Sequence, residues 1–173
     1  HAKGVSDVSS LAVWTAEQFD PSLCWDDIEW IKERWGGKLI LKGIMEPEDA
    51  LLAVQAGADA IVVSNHGGRQ LDGAPSTIAV LSSIVEAVQG QTEIYMDGGV
   101  RSGQDVLRAL ALGADGVMIG RAFLYALGAA GQAGVERCLD LLANELDVTM
   151  ALCGRRNLDE VDRTVLKNPD LFN

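Results

Sequence analysis

The chain has 173 residues, 48 % of them hydrophobic, and a formal net charge of −11 at pH 7. That length carries one domain with a substantial core, and that apolar share excludes a disordered chain. The acidic balance argues against nucleic acid as a partner, and no stretch approaches eighteen consecutive apolar residues, so nothing in it spans a bilayer as a helix.

Residues 1–23 are mixed and weakly patterned, with Gly4, Ser6, Ser9, Ser10 and Pro21 interrupting any long period. Leu11, Val13, Trp14 and Phe19 are apolar enough to lie on something. Two readings stand: a loop packed on its own domain, or a surface segment touching a membrane interface or partner, where Trp is favoured. Trp25 to Trp35 predicts a helix. Trp25, Ile28, Ile31 and Trp35 form one apolar stripe, acidic residues crowd its start, Lys32 and Arg34 sit near its end, and Gly36-Gly37 stops it. The stripe is expected to be core or interface packing. Three widely spaced cysteines, Cys24, Cys138 and Cys153, fit neither a disulfide framework nor a metal pattern; they are expected to be reduced core thiols in a cytosolic setting.

From Lys38 a strand–helix pattern repeats four times. Strands are predicted at 38–42, 60–64, 93–97 and 116–120. Pro47 opens the first intervening helix and Gly57 ends it. Ile78 to Val88 marks the second, closed by Gly90, and Ser102-x-x-Asp105 caps the third, which ends at Gly113. Arg121–Leu127 predicts a short extra helix and Leu139, Leu142, Leu146 and Met150 stripe a longer one, with Asn157-x-x-Glu160 capping a last short turn. Gly57-Ala-Asp-Ala-Ile-Val-Val-Ser64 echoes Gly113-Ala-Asp-Gly-Val-Met-Ile-Gly120 at an offset of 56 residues, two strand–helix units. Alternating strands and helices imply a parallel sheet, and such a repeat favours a barrel over a doubly wound sheet.

A complete (β/α)8 barrel takes eight units and about 250 residues. The expected architecture is therefore α/β, the C-terminal half of a TIM barrel. The opening on His1, with neither an initiating methionine nor a signal-peptide pattern, agrees with a chain that is part of a longer polypeptide.

The chemistry gathers at the C-terminal ends of the strands, the end where barrels of this kind carry their sites. After Val63 the chain turns polar at Ser64, Asn65 and His66, and Gly67-Gly68 breaks the strand before Arg69. A rim histidine is either a satisfied structural side chain or a base. The planar fork of Arg69 three residues on suits bidentate capture of a carboxylate, at about 1.5–3 kcal/mol per charged hydrogen bond. Asp97-Gly98-Gly99-Val100-Arg101 and Gly120-Arg121 each place glycine amides and a cation at a strand end ahead of a helix, which suits a phosphate group. Lys42 is either a solvated strand terminus or a cation directed at the barrel mouth. A base beside a carboxylate anchor and a phosphate-bearing cofactor suggests oxidation or deprotonation of a small acid.

Ser64-Asn-His-Gly-Gly-Arg-Gln-Leu-Asp72, Leu41-Lys42-Gly43 and Asp97-Gly-Gly-Val-Arg101, in this order, resemble the FMN-dependent α-hydroxy-acid dehydrogenases and oxidases. Gly120-Arg-Ala-Phe-Leu-Tyr-Ala-Leu127, followed by Gly131-Gln-Ala-Gly134, looks nearest to the bacterial, membrane-associated L-lactate dehydrogenases of that family. The resemblance implies a TIM barrel holding FMN, of which strands five to eight are present. Residues 1–23 are then the end of the long loop after strand four, and 24–173 the C-terminal half-barrel. It further implies His66 as base and substrate contact, Arg69 as binder of the substrate carboxylate, and Lys42 at the flavin N1/O2 edge. Ser64 becomes a flavin contact, while Asp97, Gly98, Gly99, Val100, Arg101, Gly120 and Arg121 hold the ribityl phosphate end; no metal is implied.

The implied partners are a small 2-hydroxy acid, the N-terminal half of the same enzyme, further copies in a homotetramer, and a quinone or other electron acceptor. The implied location is the cytoplasm, peripheral on the inner face of the bacterial inner membrane. The orienting aspartate of the histidine, the substrate tyrosines and a second substrate arginine belong to the missing half; Asp72 does not take the first role. Three alternatives stand beside this. One is a glycolate- or mandelate-type oxidase. The second is an inosine-monophosphate-dehydrogenase-like enzyme, which needs a nucleophilic cysteine on a catalytic loop. The third is a non-catalytic half-barrel for assembly or membrane docking.

Overall fold

The computed structural model describes residues 8–18, 20 and 22–167. Helix α1 (Val8–Glu17) and helix α2 (Trp25–Trp35) precede four strand–helix units. Strands β1 (Ile40–Ile44), β2 (Ala60–Val63), β3 (Glu93–Met96) and β4 (Gly116–Val117) lie side by side in that order, every pair parallel. Helices α3 (Pro47–Gln55), α4 (Thr77–Val88) and α5 (Gly103–Ala111) form the crossovers, and α6 (Arg121–Leu152) follows β4.

All three crossover helices bury their apolar stripes against one face of the sheet. Ala50 and Ala53 of α3, Leu81, Ile84 and Val88 of α4, and Ala109 of α5 share one core with Ile61, Val63, Ile94 and Met96. By strand alternation the opposite face carries Ile40, Lys42, Tyr95 and Met118. Ile40 is 54 % exposed there and Met118 46 %. A doubly wound sheet has helices on both faces and a reversal of strand order. Consecutive order with helices on one face is the wall of a barrel, seen over four strands.

The internal echo has a structural cause. In both copies the glycine has positive φ, 78° at Gly57 and 102° at Gly113, and ends the preceding helix. In both, the next alanine amide bonds back into the helix, Ala58 to Ala53 and Ala114 to Ala109. Each aspartate then grips the strand before it. Asp59 accepts the Leu39 amide at 2.8 Å and Asp115 the Ile94 amide at 2.7 Å. This Gly-Ala-Asp corner sets where the next strand begins. Lys32 of α2 and Lys38 (2.8 Å) also bond to Asp59, and the donors from Lys32, Lys38 and Leu39 hold its carboxyl well below the usual carboxylate range.

Several boundaries differ from the sequence reading. The weakly patterned N-terminal stretch contains a helix over Val8–Glu17, with Leu11, Val13 and Trp14 exposed; Phe19 and Pro21 fall outside the described residues, as do Gly4 and Ser6. The first strand is shifted to Ile40–Ile44 because Gly43, at φ 102°, forms a bulge that turns Ile44 into the core. The fourth strand pairs over two residues only. The extra helix and the longer helix after it run on as α6, with a break at Ala130 and Gly131, where Gly131 has φ 59°. The tryptophan stripe is only half seated: Trp25 packs on the core, whereas Trp35 is 68 % exposed and donates its indole N–H to the Lys38 carbonyl. The cysteines are free but none is a core thiol. Cys24 and Cys153 are exposed at helix ends and Cys138 is half-buried on α6.

Two outcomes follow from this wall. Expressed alone, the chain should be insoluble or molten, since among the described residues β1 and β4 each leave one edge unpaired and the inner sheet face exposes apolar side chains. A monodisperse monomer with a sharp thermal transition would contradict that. Asp59→Asn should destabilise the complete protein at neutral pH. The depressed carboxyl contributes stability above the unfolded value of about 3.9, and this contribution is lost as pH falls below it. Chemical denaturation at pH 7 and pH 3 should show the gap between variant and wild type shrinking on acidification.

Candidate active site

Parallel strands in register bring their C-terminal ends to one level, and three neighbouring ends supply a connected polar cluster. Lys42 of β1 donates from Nζ to Ser64 Oγ and to Asp97 Oδ2, both at 2.5 Å. Ser64 follows β2 and donates to Asp97 Oδ1 at 2.6 Å, while its Oγ also accepts the His66 amide at 3.2 Å. Asp97 follows β3. Ser64 is 2 % exposed and its hydroxyl is saturated, so it stands behind the wall of the cleft described below rather than in it.

His66 and Arg69 leave the same rim on a glycine-rich turn. His66 has φ 54°, a left-handed conformation that is uncommon for a non-glycine residue and accompanies functional sites. Asn65 holds the turn: its Oδ1 accepts the Gly68 amide at 3.2 Å and its Nδ2 donates to the Pro75 carbonyl at 3.0 Å. Arg121, from the start of α6, donates to the Gly67 carbonyl at 3.0 Å and ties the turn to β4. The guanidinium groups of Arg69 and Arg101 have no hydrogen-bond or ion-pair partner among the described residues.

These groups surround one cleft of about 310 Å3. Lys42, His66 and Arg69 stand along it with Asp97 to Arg101, Gly120 and Arg121, and Met118, Ile119 and Leu124 give it an apolar side. Every sequence-singled site residue except Ser64 therefore reaches the same cleft. Cys24, Cys138 and Cys153 do not line it.

The structure redistributes the amide donors expected for a phosphate. The start of α5 is already occupied by the chain's own acceptors. Asp105 Oδ2 takes the amides of Arg101 (3.0 Å) and Ser102 (3.1 Å), and Ser102 Oγ takes that of Asp105 (3.2 Å). Glu145 of α6 takes the Gly103 amide at 2.9 Å, where a Cβ on Gly103 would lie 2.1 Å from the Leu146 nitrogen. The capping box was legible in Ser102-x-x-Asp105; Glu145, forty-two residues away, had no sequence signal. The amides of Gly98, Gly99, Val100 and Gly120 have no partner among the described residues, and the first turn of α6 leaves its own amides without intrahelical acceptors. Anion-binding capacity thus sits in the glycine turn after β3 and the helix start after β4.

The fold and the cleft together give a parallel α/β wall whose strand ends gather glycine turns, a histidine and arginines around one space. The chain belongs to the FMN-dependent dehydrogenase family, whose model matches residues 2–168. It is similar to the L-lactate dehydrogenase of Bartonella tribocorum, 58 % identical over 92 % of this chain and 42 % of that protein. The L-lactate dehydrogenase of Actinobacillus pleuropneumoniae is 54 % identical over 95 % of this chain, again across 42 % of its own length. Among solved structures it is similar to mandelate oxidase with (S)-4-hydroxymandelic acid, at 49 % identity and a TM-score of 0.85, covering 90 % of this chain and 44 % of that one. A mandelate oxidase variant bearing a monooxide FMN adduct superposes with a TM-score of 0.80 at 49 % identity, over 84 % of this chain and 46 % of that one. The chain therefore spans less than half the length of the relatives it matches.

FMN is the cofactor of this family, and the residues present fit it. Free glycine amides and the unpartnered Arg101 suit a phosphate, the apolar side suits a ring, and Lys42 supplies a cation at the far strand ends. Gly98 is held at φ 91°, and a Cβ there would meet Thr77 Oγ1 at 3.2 Å and Asn65 Oδ1 at 3.3 Å. Gly98→Ala in the complete protein should cost about 1–3 kcal/mol of stability. It should also weaken FMN retention, read by urea unfolding and by flavin release on dialysis.

Proposed function

We propose that this chain is the C-terminal half, strands five to eight, of an FMN-dependent barrel enzyme that oxidises an L-2-hydroxy acid, L-lactate to pyruvate. The observation that carries this reading is one cleft containing Lys42, His66, Arg69 and unpaired glycine amides at the C-terminal ends of parallel strands. The oxidation removes two electrons and two protons from the substrate, and FMN, when bound, supplies the two-electron acceptor that passes them on to a quinone or another acceptor.

Arg69, unpartnered and exposed, binds the substrate carboxylate through its planar fork, fixing which carbon faces the ring. His66, three residues earlier on the same turn, takes a substrate proton on its imidazole. Its left-handed backbone and the Ser64 bond to its amide set the direction from which the ring enters the cleft. Lys42 stabilises negative charge at the other end of the row. The amides of Gly98, Gly99 and Gly120, with Arg101, hold the phosphate end. Arg121 bonds to the His66 turn, so it links phosphate seat and base.

L-lactate is favoured by the names of relatives at 54–58 % identity. The mandelate oxidase likeness supports an aryl 2-hydroxy acid as the second reading. On the first reading residues 1–23 are the end of the long loop after strand four. The exposed Leu11, Val13 and Trp14 are then its face toward the membrane surface on the cytoplasmic side. No helix among the described residues is long and apolar enough to cross a membrane.

Anaerobic addition of L-lactate to the complete FMN-loaded protein should bleach the flavin faster than glycolate or mandelate does. Faster bleaching by mandelate selects the second reading, and no bleaching by any of the three rejects both. His66→Ala should slow flavin reduction by about 10²–10⁴ with FMN still bound. Unchanged reduction removes His66 as the base.

A further inference from the structure

Both oxygens of the Asp97 carboxylate are engaged along the row of strand ends rather than with the glycine turn that follows it. One accepts from Ser64 at 2.6 Å and the other from the Lys42 ammonium at 2.5 Å. Ser64 Oγ completes the triangle by accepting a second Lys42 N–H at 2.5 Å. An ammonium has three donors. Two are thus committed to side chains that are largely buried, and one remains for the cleft, which Lys42 and Asp97 both line. The ammonium therefore stands in a fixed place with a full negative charge in contact with it. A lone cation in a partly dry cleft attracts developing negative charge strongly, whereas a contact ion pair presents only a dipole.

We propose that Asp97 is the charge-setting partner of Lys42, its carboxylate offsetting the ammonium and so deciding how strongly this end of the cleft stabilises negative charge on a bound flavin ring. The proposal rests on the FMN reading above. It gives the Asp97 carboxylate a task distinct from holding the phosphate end, which the turn amides and Arg101 perform. Asp97 is then the counter-charge of the lysine. Removing its charge strengthens the cation's effect as long as Ser64 continues to hold the ammonium.

The test uses the complete FMN-loaded protein and two readouts other than turnover. One is sulfite affinity, followed by loss of visible flavin absorbance. The other is the two-electron midpoint potential. Sulfite adds to oxidised flavin as an anion and binds more tightly where the surroundings are more positive. Asp97→Asn should tighten sulfite binding about tenfold and raise the potential by about 30 mV. Lys42→Met should weaken sulfite binding by about the same factor. The double variant, whose pair is again neutral, should return to within about threefold of wild type.

If Asp97→Asn alone does not retain FMN, the comparison of Lys42→Met with the double variant carries the same test, the double binding sulfite about tenfold more tightly. Unchanged or weaker sulfite affinity in Asp97→Asn overturns the proposal. So does loss of FMN from both Asp97 variants, which would make the carboxylate a direct cofactor contact. A wild-type protein that binds no flavin at all would take down the FMN reading, and this inference with it.

Discussion

The site depends on three parallel strands ending at the same height, so that Lys42, Ser64 and Asp97 meet across two strand spacings. Parallel pairing without a slip does this for β2 and β3, where Val63 faces Met96. Between β1 and β2 the register shifts after Lys42, and Gly43 absorbs the shift at φ 102°. That bulge lets Lys42 point away from the helices while Ile44, two residues on, still packs into the core. A side chain at Gly43 would have to adopt a backbone conformation that L residues rarely take. The polar cluster at the strand ends and the apolar core beneath the helices are therefore set by one local irregularity.

Much of this was legible in the residues because the signals are local. Pro47 and Gly57 bracket α3 as the N1 and C-terminal positions demand, and Ser102-x-x-Asp105 caps α5 through its own side chains. The run Ala60 to Val63 is buried on both faces, as a central strand of this kind must be. What escaped notice depends on groups distant in the chain. The bulge at Gly43 shows only when the partner register is known. Glu145 reaches the start of α5 from α6, and with Asp105 it fills the amides that a glycine-plus-helix pattern offers to an anion. Ser64 looked like a rim residue because it follows a strand, yet its hydroxyl is consumed by Lys42, Asp97 and the His66 amide. Cys24 and Cys153 are exposed where they flank helices α2 and α6, and Cys138 is half-buried on α6, so none reaches the core.

The division of labour in the cleft follows from which groups are left without partners. A folded chain satisfies its buried polar atoms, and Asp59, Asp105 and Asp115 do so for strand and helix starts throughout this wall. Against that background the guanidinium groups of Arg69 and Arg101 and the glycine amides, without partners among the described residues, stand out, and they all border one space. The family match and that distribution both lead to a cofactor with an anionic tail.

The twin Gly-Ala-Asp corners at Asp59 and Asp115 mean that β2 is indexed against β1, and β4 against β3, by a carboxylate that grips the neighbouring strand's backbone. At those two joints the register is written into the corner itself, so a strand that forms there has one place to sit on its neighbour.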